Sequence, residues 1–246
     1  MGQSEVSFSI AADAAWAPNI DTREAWLAWA NGQRGIEGGV EPAVAPVPLM
    51  LRRRAGFLGK MALEVAYRCL DAKSDVATIF CSRHGASARS VELLLDLANG
   101  VPLSPTSFGL SVHNAIAGLF SIARSDHASH IAIAAGNSTV EHGVIEACSL
   151  LAEGEPAVLL VAYDCPLPEI YSSFQDCHEQ PYAWAWLLKP PLKESFSLSW
   201  SRAAESAPRT IERPPSGLDV LRFYLRNDAI LERVSDGRRW LWRRHA

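Results

Sequence analysis

Ser104–Leu167 reads SPTSFGLSVHNAIAGLFSIARSDHASHIAIAAGNSTVEHGVIEACSLLAEGEPAVLLVAYDCPL. It divides into a loop, an apolar helix beginning near Ser111, a buried strand at His130–Ala135, a sharp Gly136–Thr139 turn, a second helix at Ser138–Glu153 and a strand at Pro156–Asp164. Short apolar runs that alternate with helical periods are the pattern of an α/β fold. The turn carries the most chemistry. A strand that runs straight into a tight turn and a helix lifts one side chain to the end of a sheet, beside helix amides that favour negative charge. In acyl-transfer enzymes that raised residue is the nucleophile. Here the candidates are Gly136, Asn137 and Ser138, and none is Cys.

A serine nucleophile needs a base. His142 lies four residues after Ser138, on the same helix face, and His113 and His84 are the further candidates. Gly136–Val140 falls one Gly short of the G-x-S-x-G elbow, and no acid is evidently placed to orient a His, so an esterase or acyltransferase built on Ser138 is the weaker reading. Glu141 and His142 are neighbours pointing about 100° apart on a helix, too divergent to serve one site together.

Upstream, Asp75–Ser82 reads as a buried central strand followed by a helix at Ser87–Asn99. Side chains at the carboxyl ends of such strands face the binding crevice, which makes Arg83 and His84 pocket candidates. For His84, fixing the loop by hydrogen bonds is the preferred role. Leu49–Ala72 has the apolar period of one long helix with Arg52, Arg53 and Arg54 in its first turns. These arginines suit either a solvated helix start or an acidic partner. Val6–Ala12 reads as a first strand, Asp21–Thr22 as the cap of a helix carrying Trp26, Leu27 and Trp29, and Gly32–Pro48 as a loop.

Downstream, Pro181–Pro190 and Ser195–Arg202 read as the last two strands, expected to pair antiparallel across the short Pro190–Pro191 link. An amphipathic helix at Ser216–Asn227 turns Leu218, Leu221, Tyr224 and Leu225 inward. The tail Gly237–Ala246 reads as a docked terminal strand with Trp240 and Trp242 on one face and its arginines exposed.

The chain has 246 residues, 48% hydrophobic and 20% charged, enough for one substantial core. A net charge of −4 argues against a nucleic-acid-binding domain. Five irregularly spaced Cys suit a reducing compartment: Cys69, Cys81 and Cys148 sit in apolar elements, and Cys165 and Cys177 in a loop are expected to stay unpaired. No pair has metal-ligand spacing, no secretory signal or membrane span is visible, and a cytoplasmic protein without metal or cofactor is expected.

The central stretch resembles the ketosynthases of fatty-acid and polyketide synthesis, in the N-terminal half of their thiolase fold. Phe108–Asn114 (FGLSVHN) resembles the segment before the nucleophile. His130–Ala135 resembles the strand leading to it, and Gly154–Ala162 the Gly-Asp-Ala-Asp strand entry, with Glu155 and Pro156 in place of the acids. The nucleophilic Cys position then falls on Asn137 or Gly136. A closer resemblance, over about Pro48–Pro168, is to the short ketosynthase-like chain length factors of aryl-polyene and related pigment pathways, through LRRRAGFLGKMALEVA, SRHG, LSVHNAIAGLFSIAR, AAGNST and AVLLVAYDCPLP.

That resemblance implies a mixed sheet flanked by helices in one thiolase-like half domain, the family's paired catalytic His residues belonging to the other half. It implies a catalytically silent subunit that forms a heterodimer with an active β-ketoacyl-ACP synthase, shapes its acyl tunnel and meets an acyl carrier protein, for which Arg52–Arg54 are candidate contacts. In the family pairing the strand before the nucleophile lies antiparallel to its counterpart across the dimer axis. The implied interface or tunnel residues are Phe108, Leu110, His113, Asn114, Leu119, Phe120, His130, Ile131 and Ile133, with His113 and Asn114 read as a buried hydrogen-bonded pair. A homodimer with a purely structural role is the remaining alternative.

Overall fold

The computed structural model describes residues 4–70, 75–203 and 213–245. In chain order its elements are β1 Ser4–Trp16, α1 Arg23–Ala30, α2 Leu49–Cys69, β2 Ala77–Cys81, α3 Ser87–Ala98, α4 Pro105–Gly109, α5 Ala115–Arg124, β3 His130–Ile133, α6 Thr139–Ala152, β4 Val158–Asp164, β5 Tyr182–Lys189, β6 Ser195–Arg202, α7 Ser216–Leu225, β7 Ile230–Ser235 and β8 Arg238–His245. Short 3-10 turns occupy Gly136–Ser138 and Glu169–Phe174. The strands form one mixed sheet of eight, in the order β3-β2-β4-β5-β1-β6-β8-β7. β2 runs parallel to β3 and β4, and every other pairing is antiparallel.

β1 joins the two parts of the sheet. Its start, Ser4–Phe8, pairs with β6, and Ser9–Trp16 pairs with β5, with a register shift between Ile10 and Ala12. A bulge of this kind bends and twists the strand that carries it. The expected direct pairing of Tyr182–Lys189 with Ser195–Arg202 is therefore wrong: β1 lies between them. A strand of thirteen residues can serve both neighbours, and the Pro190–Pro191 link carries the chain past it. Nor are β5 and β6 the last strands, since the β7–β8 hairpin extends the sheet. The tail does dock as a strand, with Trp240 and Trp242 both at 0% exposure. Arg238 and Arg239 are exposed as expected, whereas Arg243 and Arg244 are half-buried.

Side-chain alternation assigns the two faces. In β5, Tyr182, Trp184, Trp186 and Leu188 enter the core beneath α6 and α7, while Ala183 and Ala185 face α2. The small residues let α2 lie close to the sheet, and the tryptophans fill the wider gap opposite, where Trp184 Nε1 donates to the Gly217 carbonyl at 2.9 Å. Gly143 of α6 has the same purpose, since a Cβ there would sit 2.3 Å from Cys81 Sγ. α2 is not one continuous helix: Gly56, at φ +63, breaks it, a conformation glycine adopts without steric cost. The expected last residues of that helix, 71 and 72, lie outside the described residues.

Two boundaries differ from expectation. The segment before α5 holds a one-turn helix, α4, because Pro105 suits a first helical position and Ser104 Oγ accepts from Ser107 N at 3.3 Å. α5 then begins at Ala115, and not near Ser111. No helix among the described residues is long and apolar enough to cross a membrane.

Candidate functional site

The carboxyl ends of the parallel strands meet at one end of the sheet, where an open α/β fold places its crevice. Asp164 closes β4, largely buried, and collects the loop after β2. It accepts from Ser82 Oγ at 2.8 Å and from the amides of Arg83 and His84 at 3.1 Å each. Burial raises its carboxyl above the usual range even so, the three donors pulling the other way. His84 Nε2 lies 3.1 Å from Glu179, whose other oxygen accepts from Leu167 N at 2.7 Å. His84 thus places its ring beside the Glu179 carboxylate, while its backbone amide is the group that bonds Asp164. Burial works against the Arg83 charge, but a fork of bonds to Asp176 at 2.6 and 2.7 Å outweighs it and raises its pKa.

Arg83 lines a polar cleft of about 830 Å³ together with Gly136, Asn137, Asp176, Arg233 and Asp236. The strand-to-helix turn forms one wall. Asn137 Nδ2 donates to Asp176 at 3.0 Å, and the Asn137 carbonyl accepts from Arg233 Nη2 at 3.3 Å. Ser138 is fully buried: its hydroxyl donates to Asp236 at 2.7 Å, lies 2.9 Å from Ser235 Oγ, and accepts from Trp240 Nε1 at 3.1 Å. Gly136 has φ +56, and a Cβ on it would lie 3.2 Å from the Asp236 carboxylate.

This geometry overturns the Ser138–His142 pair. His142 Nδ1 donates to the Ser138 carbonyl at 2.8 Å, and its ring stacks edge-on against Trp240. The Ser138 hydroxyl instead bonds to Asp236, Ser235 and Trp240, and the His142 bond goes to the Ser138 carbonyl and not to its hydroxyl. Glu141 diverges from His142 as expected: at 0% exposure it forms a short ion pair with Arg233.

His113 and Asn114 do not form a buried pair. His113 Nε2 donates to the Ser82 carbonyl at 2.8 Å, while Asn114 is exposed at the start of α5. Leu119 and Phe120 are buried in the α2–α5 core, whereas Phe108 is 62% exposed and Leu110 half-buried. His130 is exposed, and Ile131 and Ile133 are half-buried on β3, the sheet edge. Cys165 and Cys177 are unpaired, and burial pushes the Cys177 thiol up to about 12. Among the described residues no cluster of His, Cys, Asp or Glu could hold a metal ion.

Sequence reasoning missed Asp176, Arg233 and Asp236. Arg233 and Asp236 come from a hairpin that reaches the turn across 96 and 98 positions of chain, and no local periodicity marks such a contact.

The family model of the β-ketoacyl synthase N-terminal domain matches residues 26–243, so the chain belongs to that family. No curated protein matches. Among solved structures, a chain of the complex of the ketosynthase ApeO with its chain length factor ApeC from Xenorhabdus doucetiae aligns with a TM-score of 0.84 and 25% identity, over 97% of this chain and 99% of that one. The ishigamide ketosynthase/chain length factor aligns at 0.63 and 13% identity, over 82% and 68%. A chain of the AntDE:AntF complex, a type II polyketide carrier protein with its ketosynthase, aligns at 0.71 and 11% identity, over 99% and 100%. The fold is thus that of the thiolase-like ketosynthases, as the resemblance implied.

Proposed function

We propose that this chain is a catalytically silent chain length factor, a single ketosynthase-like domain that pairs with an active β-ketoacyl-ACP synthase and walls off part of its acyl tunnel. The observation that carries the reading is the turn: Gly136–Asn137–Ser138 has no thiol, and its polar side chains are spent on Asp176 and Asp236. The similarity to a ketosynthase–chain length factor complex supports the choice of partner.

β3 supplies the pairing edge. It is bonded on one side only, to β2, and of its four residues none is Asp, Glu, Lys or Arg. Open backbone groups on an apolar edge favour continuation of the sheet into another chain. Exposed Leu94, Leu95 and Leu97 on α3 and Phe108 on α4 extend an apolar surface that a partner would cover. Phe108 and Leu110 are the tunnel candidates that a partner can reach. Exposed Arg53 and Arg54 at the start of α2 are available to an acidic carrier protein, while Arg52 is engaged with the Ala43 carbonyl at 3.1 Å.

The test is co-expression with the ketosynthase encoded nearest to its gene, tagging only this chain, followed by size-exclusion chromatography with light scattering. A one-to-one complex that elongates malonyl-carrier substrate, with no turnover by this chain alone, is expected. A free homodimer with no associated ketosynthase would overturn the reading.

A further inference from the structure

The turn after β3 is held from outside its own strand–helix unit. From the cleft side it is met by Asp176, which accepts from Asn137 Nδ2, and by β7, β8 and the tight connection between them. Arg233 of β7 reaches the Asn137 carbonyl with one guanidinium nitrogen and Glu141, one turn into α6, with another. Asp236, at the hairpin tip, accepts from the Ser138 hydroxyl at 2.7 Å, Ser235 sits 2.9 Å from the same oxygen, and Trp240 of β8 donates to it. The tip itself has a shape few residues adopt: Asp236 and Gly237 both have positive φ, +50 and +73. That backbone brings the Asp236 carboxylate to within 3.2 Å of where a Cβ on Gly136 would be.

We propose that the β7–β8 hairpin is a clamp whose Asp236 and Arg233 are positioning residues for partner assembly: they hold the Gly136–Ser138 turn and, through it, the open edge of β3. The coupling path is short. Ile133 ends β3 two residues before Ala135, whose carbonyl accepts from Ser138 N at 3.0 Å and whose amide donates to Thr139 Oγ1 at 2.9 Å. β3 has four residues, one bonded edge and only half-buried isoleucines. A strand so short is ordered chiefly by what fixes its ends. A pre-ordered edge binds a partner without first losing conformational freedom, so loosening the clamp weakens association through the strand it orders. The inference rests on the heterodimer reading for its partner and on the hydrogen-bond geometry alone for the clamp.

The test uses the whole chain with Asp236→Ala, chosen because Asp236 is exposed and makes no part of the core. Amide hydrogen exchange of the 130–139 segment is measured in the free protein, alongside Kd for the ketosynthase encoded nearest to its gene. The expected result is exchange accelerated about tenfold in 130–139 and unchanged in β4, with association weakened about tenfold, the loss of one hydrogen bond to a charged acceptor. If Asp236→Ala does not fold, Ser138→Ala removes the same bond from the other side, together with the contacts to Ser235 and Trp240, without changing charge, and the same two readouts apply. Unchanged exchange in 130–139 overturns the clamp, and so does faster exchange with unchanged affinity. Failure of the unaltered chain to bind any ketosynthase condemns the heterodimer reading instead, and the exchange measurement still decides whether the clamp exists.

Discussion

The two edges of the sheet are built on opposite rules. At one end β3 is a four-residue strand in parallel pairing, with half-buried isoleucines and no formal charge beyond what His130 can carry. At the other end β7 pairs antiparallel in a hairpin and carries Glu232 and Arg233, with Glu232 bridging to Arg239 of β8 at 2.6 Å. Charges along an exposed edge are the usual protection against pairing with another chain. β7 has that protection and β3 does not. In the heterodimer proposed above, the β7 edge stays finished and the β3 edge is the one that takes the second chain.

Backbone parity gives the sharpest way to break this comparison. Thr78 N donates to the Ser129 carbonyl and Ser82 N to the Ile133 carbonyl, which turns the amides and carbonyls of His130 and Ala132 toward the open side. Ala132→Pro therefore removes an outward donor and no bond to β2, a placement proline tolerates. The expected outcome is a folded chain whose association with its ketosynthase falls by about a hundredfold or more, measured by titration of the purified subunits. The matched change on the other edge is Glu232→Pro. Ala229 accepts from Arg244 N, which puts the Glu232 amide on the open side too, and any loss of partner affinity there should stay within the roughly tenfold expected of a loosened clamp. Equal losses from both prolines would erase the distinction between the edges.

A second contrast separates a buried phenylalanine from an exposed one. Phe120, 1% exposed, packs against Phe80 and Tyr67. Phe120→Ala should cost about 3–5 kcal/mol of unfolding free energy, read by denaturant titration. Phe108→Ala should cost less than about 0.5 kcal/mol and act instead on complex formation or on product length. A large loss of stability from Phe108→Ala would place it in the core and remove it from the tunnel candidates.

The smallest effect concerns Asp164, beneath both the β2 loop and the cleft. Burial raises its folded-state pKa above the 3.8 of an unfolded carboxyl, so the folded chain holds this proton more tightly than the unfolded one. Its contribution to stability is then fullest below that value and declines as pH rises through the raised one. The unfolding free energy of the natural chain minus that of Asp164→Asn, which cannot ionise, should fall as pH rises above 3.8. A difference that rises would mean that the bonds from Ser82, Arg83 and His84 outweigh burial.

The sequence by itself determined the local pieces: the alternation of β5, the helical period of α6, the Thr22 cap that accepts from Ala25 N at 3.2 Å, and the strand–turn–helix around Gly136. Each of these follows from side-chain spacing within a dozen residues, where period and capping chemistry act directly. It also carried the family resemblance and the missing thiol. Only the tertiary structure decided that β1 separates β5 from β6, that His142 serves the backbone and not Ser138, and that Asp236 and Arg233 close the turn. Those outcomes depend on which distant segments end up side by side. The two halves of one strand meet different partners, and a bond spanning 98 positions decides what the Ser138 hydroxyl donates to. Neither leaves a periodic trace in the chain, because such pairings follow from how the whole core packs.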